Sequence, residues 1–150
     1  MPAPRAAHVS PEAAAMASFP AAHCRVVASA ADGDDAYVVL DTGPTAYRYL
    51  YGLSAAREAD GWRDGTGGNG PAAGWVLADE AGERGTAYIY GEAPDGATRA
   101  RATLGADVRE AAVAGGVYLV VWFRAPADVP TPTLVAFEVG GRWTPAGPLP

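Results

Sequence analysis

With 150 residues, 49% of them hydrophobic, the chain has the size and apolar content of one globular domain or two small halves sharing a core. Seventeen acids against eleven arginines leave a net charge of −6, and the arginines are spread along the chain without a cluster. That excludes the basic face that nucleic-acid binding needs, and it argues against an anionic membrane surface.

Residues 1–22 read as a leader with one short helix, whose first nine residues carry no structural signal. Ser10-Pro11-Glu12 is a helix start: a capping hydroxyl, a proline at the first helical position, and an acid near the positive end of the dipole. AAAMASF continues the helix and Pro20 stops it. From residue 23 to 145 the punctuation is that of β structure. A meander is expected over 23–62, a glycine loop over 63–74 and a sandwich over 75–143, with 146–150 as a tail.

The expected strands of the meander are 24–30, 35–41 and 46–52, separated by the turns Asp32-Gly33-Asp34 and Thr42-Gly43-Pro44. In the third, Tyr47, Tyr49 and Tyr51 alternate with Arg48 and Leu50, which predicts an aromatic stripe on one sheet face. SAAREADGW reads as a weaker segment. Asp60–Trp75 then holds six glycines, a proline and two tryptophans. Glycine carries the largest backbone entropy penalty and no packing surface, so this stretch predicts a loop pinned at Trp62 and Trp75 rather than a strand. Further strands are expected at 75–79, 86–92, 97–104 and 107–113. VYLVVWF, 117–123, is apolar on both faces and predicts a strand covered on both sides, with Trp122 in the core. A proline-rich loop leads to 133–139, and Gly140-Gly141 turns into Arg142-Trp143. Strands about ten residues apart without crossover helices predict antiparallel sheets. The fold class is therefore all-β: an antiparallel, immunoglobulin-like sandwich with a preceding β-meander and one short N-terminal helix. A nuclear-transport-factor-like cone is the lesser alternative, since it would need several long helices.

Cys24 is the sole cysteine, which excludes a disulfide scaffold. Arg5 and Ala28-Ser29-Ala30 have the look of an export signal, but Pro20 breaks its weak alanine-rich core and His23 spoils a lipoprotein site. No run approaches the ~20 apolar residues of a membrane span. The expectation is a cytoplasmic protein.

Few residues have the chemistry for catalysis. His8 and His23 are the only histidines, and His23-Cys24 are strand neighbours that point to opposite faces. They suit neither a zinc site nor a thiol–imidazole pair. Asp32–Asp35 lacks the frame of a calcium loop and reads as a hairpin turn. Glu58, Asp60, Asp64, Glu80, Glu83 and Glu92 could in principle pair as glycosidase carboxylates, but they sit beside turns, where acids are usually solvated. Gly65–Gly70 could present amides to an anion, yet no lysine and no helix follows, so it is no nucleotide loop. None of the four serines lies in a GxSxG elbow. Lysine is absent, so arginine supplies every positive side chain and its abundance is no sign of phosphate recognition.

GEAP, the strands around Arg99–Val113, GGVYLVVW and GGRW resemble the C-terminal part of small uncharacterised actinobacterial proteins, and DGW…GNG…GW resembles their central region. The resemblance spans about residues 35–143 and implies a β-meander followed by an immunoglobulin-like end. It implies no activity.

The expected function is a non-catalytic binding or accessory module. It would recognise a protein or small ligand through Trp62, Asn69, Trp75, Tyr47 and Tyr49, with no catalytic residue, metal or cofactor, and with the two halves meeting near Trp62 and Trp75. Two alternatives stand beside it. One is a small β-barrel enzyme or ligand carrier using carboxylates and tyrosines. The other is a homodimer sealed by an exposed edge such as 117–123 or 133–139.

Overall fold

The structure, a computed structural model, describes residues 7–19, 24–43, 48–77 and 84–147. Among these lie one helix and eleven strands, all paired antiparallel in three sheets. The chain divides into two compact units, Met1–Asn69 and Gly70–Pro150.

The first unit is helix α1 (Pro11–Met16) on a four-stranded sheet in chain order: β1 (Arg25–Asp32), β2 (Asp35–Asp41), β3 (Leu50–Glu58) and β4 (Gly61–Asn69). The helix starts as its residue types dictate. Ser10 Oγ accepts from the Ala13 amide at 3.0 Å, and Pro11 fills the first turn. Six residues are too few to be helical alone, so packing holds them. Ala14 and Ala15 are fully buried against the sheet, where Ala36, Val38, Leu53, Ala55 and Trp62 line the facing surface. Polar bonds tie both flanks: Ser29 Oγ of β1 donates to Glu12 Oε1 at 2.9 Å, and Ser18 Oγ donates to Asp64 Oδ2 of β4 at 3.5 Å.

Two expectations fail in this unit. The third strand is Leu50–Glu58, not 46–52, so the segment that reads as weak carries most of it. Tyr51, Leu53 and Ala55 turn towards the helix, while Gly52, on the other face, lies opposite the fully buried Val39. The tyrosine stripe does not form as read: Tyr51 packs edge-on against Phe19, Tyr49 precedes the strand, and Tyr47 lies outside the described residues.

The glycine loop also fails. Gly61–Asn69 is β4, paired with β3 from Glu58↔Gly61 to Tyr51↔Asn69, and Ala72–Leu77 is β5. The glycines are there to be covered. A Cβ on Gly67 would stand 2.6 Å from Cε1 of Tyr51 and 2.9 Å from Cβ of Leu53, and one on Gly65 would stand 2.5 Å from Oγ of Ser54. An absent side chain lets the facing strand's side chains lie down across the backbone, which offsets the entropy that glycine costs a strand.

The second unit is a sandwich of β5 (Ala72–Leu77), β6 (Arg84–Glu92) and β9 (Val117–Pro126) with β7 (Ala97–Leu104), β8 (Asp107–Ala112), β10 (Thr133–Val139) and β11 (Arg142–Pro145). The sheet orders are β5-β6-β9 and β11-β10-β7-β8. Between them Ala87 and Ile89 of β6 and Tyr118, Val120 and Trp122 of β9 meet Ala100, Ala102 and Leu104 of β7 and Phe137 of β10. Glycine serves the same purpose as before: a Cβ on Gly74 would stand 2.9 Å from the Tyr88 hydroxyl, and one on Gly70 would enter the Tyr90 ring. Strand β9 is buried through residues 117–122, as its two apolar faces predict, although it ends its sheet rather than lying in the middle. Residues 133–139 form no open edge, because β10 is flanked by β11 and β7.

Candidate functional site

Of the residues singled out from the sequence, Trp62, Asn69 and Tyr49 lie in the first unit, Trp75 lies in the second, and Tyr47 lies outside the described residues. Trp62 is 8% exposed, sealed among Ala14, Ala36 and Ala55 with the Arg57 guanidinium 5.6 Å from its ring centroid. Asn69 ends the same strand; the bulge opposite Leu53/Ala55 returns it to the face of Trp62, but their partners Tyr51 and Arg57 are six residues apart, which sets the two ~20 Å apart. Trp75 packs against the core of the second unit, and its indole N–H is buried with no acceptor among the described residues. Tyr49 is 58% exposed, yet its backbone is fixed: its N–H donates to Asp41 Oδ1 at 3.2 Å and its carbonyl accepts from the Thr42 amide at 2.8 Å.

Among the described residues of the first unit, Asp41 is the buried charge. Its Oδ1 also accepts from the Gly43 amide at 3.0 Å, and its Oδ2 meets Arg25 at 2.9 Å and Arg48 at 3.7 Å. These bonds staple the two ends of the β2–β3 connection. Nearby, burial and then the Asp41 charge push the Cys24 thiol above its usual range, which disfavours the nucleophilic thiolate. The carboxylates at the β3–β4 hairpin are likewise committed. Arg63 bridges Glu58 at 2.6 Å and Asp60 at 2.7 Å, and its hydrogen bonds hold the Asp60 carboxyl below the ordinary carboxylate range. Glu80, Glu83 and His23 lie outside the described residues. Among the described residues no three of histidine, cysteine, aspartate and glutamate converge as metal ligands.

A cluster of arginines, an acid and a tryptophan on an exposed sheet face joins residues that the sequence did not mark as a site. On the outer side of the β11-β10-β7-β8 sheet, register sets Trp143, Glu138, Arg99 and Ala112 in one row, and Ala136, Arg101 and Glu110 in the next. Arg101 stacks over the half-buried Trp143, its guanidinium carbon 3.9 Å from the ring centroid. Glu110 takes Arg101 on one oxygen at 3.0 Å and Arg99 on the other at 2.9 Å. The Thr98 hydroxyl donates to Glu138 at 3.2 Å. Two turns could have revealed this. Gly105-Ala106 and Gly140-Gly141 are two-residue hairpin loops, and such loops alone put Arg101 opposite Glu110 and Trp143 opposite Glu138.

On the inner side of the same β10–β11 pair a groove of about 400 Å³ opens, lined by Pro94, Asp95, Phe137, Val139, Thr144, Pro145, Ala146 and Gly147. Its one acid is Asp95. Deeper in this core, burial pushes the Tyr118 phenol up to about 12, and its ring meets Phe137 edge-on.

Compared with protein families, with characterised proteins and with solved structures, the chain matches none. Among the described residues no helix is long and apolar enough to cross a membrane.

Proposed function

We propose that the protein is a non-catalytic binding module, cytoplasmic in setting, whose second unit is an immunoglobulin-like sandwich presenting its outer four-stranded face to a protein partner. The fold reading is supported by strand order. Counting the seven strands of this unit in sequence, the first, second and fifth share one sheet, and the seventh, sixth, third and fourth share the other. An immunoglobulin constant-type sandwich differs only in keeping its fourth strand beside the fifth's sheet. The resemblance of GEAP, GGVYLVVW and GGRW to small actinobacterial proteins implies this same architecture.

The binding reading is carried by one observation, the Arg101–Trp143 stack braced by Glu110 and Arg99 on an exposed sheet face. Tryptophan and arginine dominate protein interfaces because they cover large areas, and side chains already held in place lose little entropy on docking. The aromatic contact falls to Trp143 rather than Trp62, since Trp62 is enclosed beneath the helix.

Affinity capture from source cells with the parent and with the Arg101→Ala/Trp143→Ala double variant, followed by titration of whatever the parent retains, tests this. The double variant should bind the captured protein at least tenfold more weakly while keeping the parent's β-type circular dichroism. Equal affinity for both would remove this face from the function.

A further inference from the structure

We propose that the groove on the inner side of β10–β11 is a binding site for a small organic cation, an apolar body carrying one protonated amine. This goes beyond the partner-binding reading and stands on a different surface, the opposite side of the strand that carries Trp143.

A volume of about 400 Å³ lies within the range that small-molecule sites occupy. The residue types around it divide by chemistry. Phe137 and Val139 come from the inward face of β10, and Pro94, Pro145 and Ala146 add further apolar surface. The Phe137 ring is steadied from behind by Tyr118, with centroids 5.4 Å apart. Thr144 lies opposite Phe137 in the ladder and so shares its inward face, which brings a hydroxyl among these groups. The Pro94–Ala97 turn holds the remaining polar group in place: the Ala97 amide donates to the Pro94 carbonyl at 3.1 Å, and a Cβ on Gly96 would stand 3.6 Å from Val139 Cγ1.

That remaining group is Asp95, exposed on its turn and paired with no cation among the described residues. The contrast with its neighbours is informative, since Glu110 holds two arginines and Glu138 takes the Thr98 hydroxyl. An apolar groove with a single unspent carboxylate discriminates by charge. An amine placed there gains a charge-assisted hydrogen bond beside surface of low dielectric, whereas a carboxylate there meets like-charge repulsion.

The test uses the full chain and three probes of similar shape: 2-phenylethylammonium, neutral 2-phenylethanol and anionic 3-phenylpropionate. Binding is followed by shifts of the Gly96, Thr144 and Gly147 amide resonances in ¹H–¹⁵N spectra. The ammonium probe should move these resonances and bind at least tenfold more tightly than the anion, with the alcohol between. In Asp95→Asn, a change on an exposed turn that leaves the core alone, the ammonium advantage over the alcohol should vanish while the alcohol binds as before. Saturable shifts absent for all three probes, an anion that binds as well as the amine, or an ammonium advantage unchanged in Asp95→Asn would each overturn the assignment. Loss of partner capture in the Arg101→Ala/Trp143→Ala variant with probe binding retained would separate this site from the outer face.

Discussion

Gly67 and Gly68 are chain neighbours of the same type with opposite surroundings. A methyl on Gly67 would be driven into Tyr51, Leu53 and the Gly52 carbonyl, whereas one on Gly68 would meet nothing within 4 Å. Gly67→Ala should therefore cost about 2 kcal/mol through overpacking, and Gly68→Ala should stay within about 0.5 kcal/mol. Urea unfolding midpoints of the two variants check this; equal midpoints would mean that Tyr51 does not lie across β4. Tyr118 gives a pH test in the other unit. Its folded phenol titrates at about 12 against an ordinary 10.0, so the neutral form is favoured on folding. The native state then holds the proton longer than the unfolded chain, and stability that is complete below pH 10 is lost as pH rises towards 12. Denaturation across that window should show the parent losing stability relative to Tyr118→Phe, which has no such proton to lose.

At the scale of elements, much was legible because local chemistry sufficed. The Ser10–Pro11–Glu12 start specifies α1, and Gly33, Gly105 and Gly140-Gly141 each take a positive φ at a hairpin turn. The expected spans 35–41, 97–104 and 133–139 coincide with β2, β7 and β10. What stayed hidden depends on contacts between strands. Composition ruled residues 63–74 out of regular structure because glycine's cost is local, while the tyrosine rings that offset it come from Tyr51, Tyr88 and Tyr90 on other strands. The same applies to β3, where Ser54-Ala55-Ala56 has weak strand propensity and is held by pairing with β2 on one side and β4 on the other. The staple at the β2–β3 connection makes a prediction at this scale. Asp41→Asn removes the charge that binds Arg25 and accepts from two amides, and should lower stability by about 2 kcal/mol in thermal unfolding. Shifts of the Gly43 and Tyr49 amide resonances should accompany it; an unchanged melting curve would make Asp41 incidental.

For the whole molecule, function was less legible than fold because the informative cluster is an arrangement rather than a motif. Arg99, Arg101, Glu110 and Trp143 are unremarkable one by one in the sequence, and only the strand order β11-β10-β7-β8 makes them a surface. Trp62 stood out by its glycine neighbours, yet a sheet that carries a helix has to bury something large beneath it, and Trp62 is what it buries. The account as a whole rests on the segment from Gly61 to Leu77 being two ordered strands, one closing each compact unit. Amide hydrogen exchange read by mass spectrometry on peptides covering that segment tests it most directly. Retarded exchange is predicted for the amides that β4 gives to β3 and β5 gives to β6, slower by orders of magnitude than in the Ala127–Thr131 connection. Exchange across residues 61–77 as fast as in that connection would contradict it.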